Sequence, residues 1–348
     1  MRRFSKKSPH VWTLSNDRAN AASRRSGGWS WYERIVSQAQ SFVPGASSPT
    51  SVLGDALSIA RYHILLIAMA AQVVFGWLMT GRYLWALAPV VGLDWFLINL
   101  LNRATDIEED LRNGIPGTER VARRKKLVTW GCVGLMAGSF VVTHLVWPAL
   151  TPYRAVVQII GLGYNYRIIP TRRGLSRFKE IYFLKNFGSA VIFVLTGFAY
   201  PLAVAGSSRA MSWAAIAVLA AFFVAFEITY EILYDLRDID GDRALHVPTY
   251  PVVHGVERAR QIIDALLVLS ALVIAGGFLS GILGVREALM IAAPGAQLLF
   301  YRPRFKRGIT PRDCILLTHL GTTQLLFYLA GTAVWLRMGL PHNIFLTR

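Results

Sequence analysis

The chain has 348 residues, 54% of them hydrophobic and 16% charged, with a formal net charge of +17. That is too apolar for an ordinary soluble protein of this length. Nucleic-acid binding is not the first reading of the positive charge, because cytoplasmic loops of a membrane protein supply the same excess. The two cysteines, Cys132 and Cys314, match no metal spacing and form no disulfide framework.

Residues 1–58 carry eight Lys/Arg, twelve serines and three acids (Asp17, Glu33, Asp55). They contain no apolar core of signal-peptide length. Two readings fit this stretch: a basic, disordered tail near anionic lipid, or an organellar transit peptide.

An all-α integral membrane domain is expected from 59 to 340. Nine spans are predicted at about 59–79, 83–103, 127–146, 149–165, 183–205, 211–234, 261–282, 286–301 and 316–338, the fourth and eighth short for a bilayer. Pro89, Pro201 and Pro294 are expected to kink spans. The basic residues gather in alternate loops. Arg112, Arg120, Arg123, Arg124, Lys125 and Lys126 fall in the second, Arg167, Arg172, Arg173, Arg177 and Lys179 in the fourth. Arg237, Arg243, Arg258 and Arg260 fall in the sixth, and Arg302, Arg304, Lys306, Arg307 and Arg312 in the eighth. The opposite side has little beyond Arg82, Arg154, Arg209 and Arg286. The N-terminus is therefore expected on the cytoplasmic side, or its matrix or stromal equivalent, of a bacterial plasma membrane or an organelle membrane.

Two acidic clusters end two of these apolar runs on the basic side. Asn102, Asp106 and Asp110 are spaced i, i+4, i+8 and fall within about 80° of one helical face. Asp235, Asp238 and Asp242 are spaced i, i+3, i+7 and share a face if the helix persists past Gly241. Carboxylates at the mouth of a span are costly unless they bind something. Mg²⁺ takes oxygen ligands and binds through a few carboxylates plus substrate phosphates, and arginine and lysine grip the outer oxygens of a diphosphate. A ligand with an anionic head at the interface and a hydrocarbon remainder among helices, such as a prenyl diphosphate, suits both parts. Tyr164, Tyr166, Tyr230 and Tyr234 lie at the depth where an allylic cation would form.

Blander readings apply elsewhere. Glu108, Glu109 and Asp240 are expected to be solvated or paired with loop arginines. Arg172 and Arg173 read as topology determinants, and His63, His144 and His319 as isolated helix residues without metal.

Asn102-x3-Asp106-x3-Asp110 resembles the NxxxDxxxD signature of the UbiA-type intramembrane prenyltransferase superfamily. Asp235-x2-Asp238-x3-Asp242, with Thr249 and Pro251 to Gly255, is similar to its second Asp-rich motif and the loop after it. Tyr164 to Pro170 and Lys185-Asn186 are similar to its middle conserved loop. The resemblance covers roughly residues 55–340. It implies a nine-helix bundle around a central cavity with a cytoplasmic cap, and Mg²⁺-dependent prenyl transfer with release of pyrophosphate. Its implied metal ligands are Asp106, Asp110, Asp235, Asp238 and Asp242, the first four also catalytic. It implies that Asn102, Lys185 and Arg120 bind substrate, with Arg61 as a further family arginine, and Tyr164 and Tyr234 are expected from their depth to bind it too. Asp240, and a loop before Thr249 without the usual glycine, depart from the pattern. The implied partners are a prenyl diphosphate, an aromatic or lipid-like acceptor and membrane lipid, with neither nucleic acid nor a protein partner. Two alternatives stay open: a terpene cyclase on the same fold, without an acceptor, and a cation transporter or lipid-binding channel. The second is disfavoured because transport sites lie nearer mid-membrane.

Overall fold

A computed structural model describes residues 52–172 and 174–339. The expectations for 1–51 and for Arg173 lie outside the described residues. The helix α1 (Val52–Ala60) begins inside the stretch read from sequence as tail, and a left-handed residue, Arg61, joins it to α2 (Tyr62–Thr80). The succession continues with α3 (Ala88–Thr105), α4 (Ile107–Arg112), α5 (Thr118–Arg123), α6 (Lys125–Val146) and α7 (Thr151–Asn165). A two-stranded antiparallel hairpin follows, β1 (Ile169–Thr171) and β2 (Gly174–Ser176), paired Ile169 to Ser176. Then come α8 (Leu184–Val194), α9 (Tyr200–Ala205), α10 (Trp213–Ala244), α11 (Tyr250–His254), α12 (Val256–Leu279), α13 (Val285–Ala288), α14 (Ala292–Phe305) and α15 (Pro311–Arg337).

Seven helical segments among the described residues are long and apolar enough to cross a membrane. They occupy seven of the nine expected positions. The fourth and eighth positions hold helices of 15 and 14 residues, α7 and α14. The protein is thus a multi-pass, all-helical membrane protein apart from its short hairpin. On its outside, α6 turns Leu127, Trp130 and Leu145 outward, as suits a face against lipid tails.

Pro89 lies in the first turn of α3, Pro201 in the first turn of α9, and Pro294 near the start of α14. For Pro89, at the start of α3, the missing first-turn N–H has no intrahelical acceptor, so proline costs little there. Pro201 lies inside the continuous span Leu184–Ala205, directly after a π-helical turn at Leu195–Ala199.

Apolar side chains hold most of the interior, with Phe75, Phe198 and Phe223 mutually in contact at its centre. One polar knot interrupts it. Asp94 on α3 and Arg154 on α7 are both fully buried. Asp94 accepts from Arg154 Nε at 3.0 Å, Gln158 Nε2 at 2.9 Å and Tyr200 Oη at 2.9 Å. Arg154 Nη1 donates to the Ser139 carbonyl at 3.0 Å and Thr143 Oγ1 at 2.6 Å. An ion pair in hydrocarbon survives only when its remaining donors and acceptors are matched, and here they are. The knot ties α3, α6, α7 and α9 together, and none of its residues lines the cavity described below. Arg154→Ala leaves a buried carboxylate without its cation. It should cost about 3–5 kcal/mol, read as a lower thermal midpoint in detergent, with the joint replacement D94N/R154M recovering part of the loss.

Candidate active site

Alternation of direction brings helix ends to one level. The starts of α2, α8 and α15 and the ends of α3, α7 and α10 meet around a cavity. It encloses about 1070 Å³ of empty space, part of it open to solvent. Arg61, Asn102, Glu109, Lys179, Lys185, Asp235, Arg237 and Asp238 line its mouth, while Ile64, Ile67, Trp95, Ile98, Ile192 and Phe193 line its depth.

The first motif does not keep one straight face. The α3 helix ends at Asp106, whose backbone (φ −104°, ψ 29°) forms the joint to α4. Asn102 and Asp106 stay together, Asn102 Nδ2 donating to Asp106 Oδ2 at 2.5 Å. Arg61 fixes the amide from the other side, donating to Asn102 Oδ1 at 3.1 Å and Asn99 Oδ1 at 3.3 Å. Asp110 turns instead to Arg103, 2.8 Å away, and both are buried outside the cavity lining. Burial pushes the Asp110 carboxyl above the ordinary carboxylate range against the opposing pull of Arg103 and Arg61.

The second motif does persist as helix. Since α10 runs unbroken to Ala244, Gly241 does not end it, and Asp235, Asp238 and Asp242 ride on its last turns. A side chain at Gly241 would collide with Asn113, so the glycine lets the two motif-bearing helices approach. Lys185 Nζ bridges Asp235 Oδ1 at 2.8 Å and Asp242 Oδ2 at 3.2 Å. Asn186 Nδ2 donates to Asp235 Oδ2 at 2.7 Å. Asp238 pairs with Arg237, which also lies over the Tyr234 ring. Asp240 points to solvent, as expected.

Two residues assigned from sequence to topology belong to the site. Arg177 Nη1 reaches Asp106 Oδ1 at 2.9 Å, and Lys179 Nζ bridges Asp106 Oδ2 at 2.8 Å and Glu109 Oε2 at 2.6 Å. Glu109 is correspondingly paired with a lysine and not with an arginine. Burial opposes ionisation of Glu180, yet hydrogen bonds from Arg167 and Arg177 hold its carboxyl below the ordinary range. Phe178, between the two basic residues, lies on α7 where only glycine leaves room: a Cβ at Gly163 would fall 2.5 Å from the Phe178 ring.

Arg120 is placed elsewhere. It pairs with Asp55 at 2.5 Å, is half exposed, and does not line the cavity. Tyr164, Tyr230 and Tyr234 do line it, and Tyr166 does not. Nor are His63 and His319 isolated. Their rings lie 6.5 Å apart, His63 stacks over Tyr234, and His319 Nε2 bonds Tyr62 Oη at 2.9 Å. Sequence reasoning passed over Glu227 and Glu231, which line the cavity wall on α10. The signal was present: 227, 231 and 235 continue one helical face, and acids inside an apolar run are functional candidates by default.

Among the described residues, no three His, Cys, Asp or Glu side chains converge into a preformed metal cluster. The carboxylates of both motifs are each matched to a basic group instead. The donor set nevertheless fits a hard dication. Every candidate ligand is an oxygen, and Asp242 keeps Oδ1 buried without a hydrogen-bond partner. Mg²⁺ usually takes one or two carboxylates and completes its shell from substrate and water, so a closed protein cage is not required.

Fold and site together define a helical membrane protein with an apolar cavity closed at one end by facing carboxylates and cations. Comparison with known proteins agrees. The UbiA prenyltransferase family model matches residues 176–327. A UbiA homolog from Archaeoglobus fulgidus bound to GPP and Mg²⁺ superposes with a TM-score of 0.60 at 17% identity, covering 79% of this chain and 97% of that one. The same homolog bound to DMAPP and Mg²⁺ gives 0.58 at 17% identity, over 78% and 96%. A structure of digeranylgeranylglyceryl phosphate synthase gives 0.51 at 16% identity, over 79% and 95%. Among curated proteins none matches in sequence. Residues 176–327 thus match the UbiA prenyltransferase family, and the described helices share the fold of these UbiA homologs.

The Phe178 seat is open to test. Gly163→Val should displace the ring and cost about 1–3 kcal/mol. It should also expose Lys179, buried in the wild-type protein, to cleavage by trypsin. Equal cleavage of both proteins at Lys179 would count against the seat.

Proposed function

We propose that the protein is a Mg²⁺-dependent prenyltransferase that moves a prenyl group from an isoprenyl diphosphate to an aromatic or lipid-like acceptor within the membrane. The observation that carries this reading is the division of one cavity into an ionic mouth and an apolar, aromatic depth. The archaeal homologs bound to GPP and to DMAPP with Mg²⁺ support it.

Asp106, Asp110, Asp235, Asp238 and Asp242 would hold Mg²⁺, which when bound neutralises diphosphate charge and eases its departure. In this structure Asp106 and Asp235 face the cavity through Lys179 and Lys185, while Asp110 stands behind Arg103. The chain's own part begins with its cations. Lys179, Lys185 and Arg237 face the cavity mouth and can exchange a carboxylate partner for a diphosphate oxygen, and Arg61, held on the Asn99 and Asn102 amides, faces it beside them. Asn102 offers an amide beside Asp106. As the carbon–oxygen bond lengthens, positive charge grows on the allylic carbon. The faces of Tyr164, Tyr230, Tyr234, Trp95 and Phe193 are the available stabilisers, worth about 0.5–2 kcal/mol each. Their burial excludes the water that would quench the cation. The acceptor then forms its bond to that carbon and loses a proton. The basic loop residues on the same side support an orientation with the site facing the cytoplasm, or the matrix or stroma.

Asp106 is the decisive position. Asp106→Asn should lower Mg²⁺-dependent pyrophosphate release from a prenyl diphosphate by at least about 100-fold, measured on purified protein in detergent or nanodiscs. An unchanged rate would remove the first motif from the site.

A further inference from the structure

The cavity has a level floor. The deepest lining residue is Ile67 on α2, Trp95 on α3, Phe193 on α8 and Glu227 on α10. Measured along each helix from the mouth residues Arg61, Asn102, Lys185 and Asp235, these lie six to eight residues down, or roughly 9–12 Å at about 1.5 Å per residue. Trp95 and Phe193 close the floor ring against ring, with centroids 4.2 Å apart, and Trp95 Nε1 is anchored on Thr196 Oγ1 at 3.3 Å. Beneath them Phe223 packs on Phe193, Phe75 and Phe198 at 5.2–5.9 Å, and these rings are buried.

Glu227 is the anomaly in this floor. It is 5% exposed, lines the cavity, and makes no hydrogen bond or ion pair among the described residues. A carboxyl covered by hydrocarbon without a hydrogen-bond partner is expensive. A tail that stops above Glu227 leaves it room for water, whereas a longer tail must cover it and press on the Trp95–Phe193 lid. At about 1.5 Å per carbon–carbon bond an isoprene unit spans roughly 5 Å, so two units fill this depth. Resting on the prenyl diphosphate reading above, we infer that this floor measures the tail: the site takes a geranyl-length chain and discriminates against longer ones, with Glu227 as the specificity-determining residue.

The test uses the full chain in nanodiscs with Mg²⁺ and the non-reacting thiolodiphosphate analogues of geranyl, farnesyl and geranylgeranyl diphosphate, with binding measured by calorimetry. The geranyl analogue should bind at least about tenfold tighter than the geranylgeranyl one. Glu227→Gln, which keeps a polar floor, should keep that preference. Glu227→Leu and Phe193→Ala should each bring the ratio to within about threefold. Equal affinity of the wild-type protein for all three lengths overturns the inference and leaves the prenyl reading standing. So does a wild-type preference that Glu227→Leu leaves unchanged, as regards Glu227. Binding of none of the three overturns the prenyl reading itself, and this inference with it. Should a variant fail to fold, the wild-type ratio alone decides.

Discussion

Charge neutralisation at the edge of a low-dielectric cavity is the constraint on which the rest of the structure depends. Carboxylates from two distant stretches of chain meet basic residues from the first of those stretches, from the Arg177–Lys179 segment and from the start of α8, all at one level of the helix bundle. Asp106 is held by Arg177 and Lys179, Asp110 by Arg103, and Asp235 and Asp242 by Lys185. Each group alone would be prohibitive to bury, so the pairs fix which helix ends must lie together. The hairpin and the Phe178 seat exist to bring two of those cations over the first motif. In the same way the shortness of the contact at Gly241 brings the second motif up to α4.

The same constraint explains why the acids do not already form a metal cage. Where a strongly charged ligand is to be received, the resting partners must be exchangeable. Lysine suits that task better than a bidentate arginine fork, because its ammonium is a compact charge on a flexible stem. Both bridging cations that line the cavity mouth, Lys179 and Lys185, are lysines. The arginine pair that plays no part at the cavity, Arg154 with Asp94, is by contrast fully enclosed and fully bonded. One protein thus carries two kinds of buried ion pair: the Arg154–Asp94 pair ties helices together, and the lysine-bridged pairs stand at the cavity mouth.

Deeper in the cavity the logic reverses. The lining becomes aromatic and aliphatic, and hydration is lost over about two helical turns. Glu227 and Glu231 break that rule on a single face of α10, where Glu231 is satisfied by Ser189 Oγ at 2.8 Å and Glu227 is not. An isolated polar group in such a wall sets a boundary that a purely apolar wall would lack. Selectivity in this cavity therefore rests on what a ligand leaves unpaired as well as on what it fills.

Much of the molecule was legible in its sequence. Hydropathy placed the long spans because a bilayer demands about twenty apolar residues, whatever the neighbours are. Loop charge grouped the basic residues on one side, and acids at the ends of apolar runs marked Asp106, Asp235 and Asp238, since such residues are costly unless used. Helical spacing joined Asn102 to Asp106 and, past Gly241, Asp235 to Asp242. Only the tertiary structure could decide partners. The turn at Asp106 that sends Asp110 back to Arg103 is a break in helical periodicity, and the salt bridge that takes Arg120 to Asp55 and the descent of Lys179 onto Asp106 are contacts across tens of residues. So is the meeting of His63 with His319. Periodicity within one helix fixes which side chains share a face. It does not contain which other helix that face will meet, because that is set by packing summed over the whole bundle.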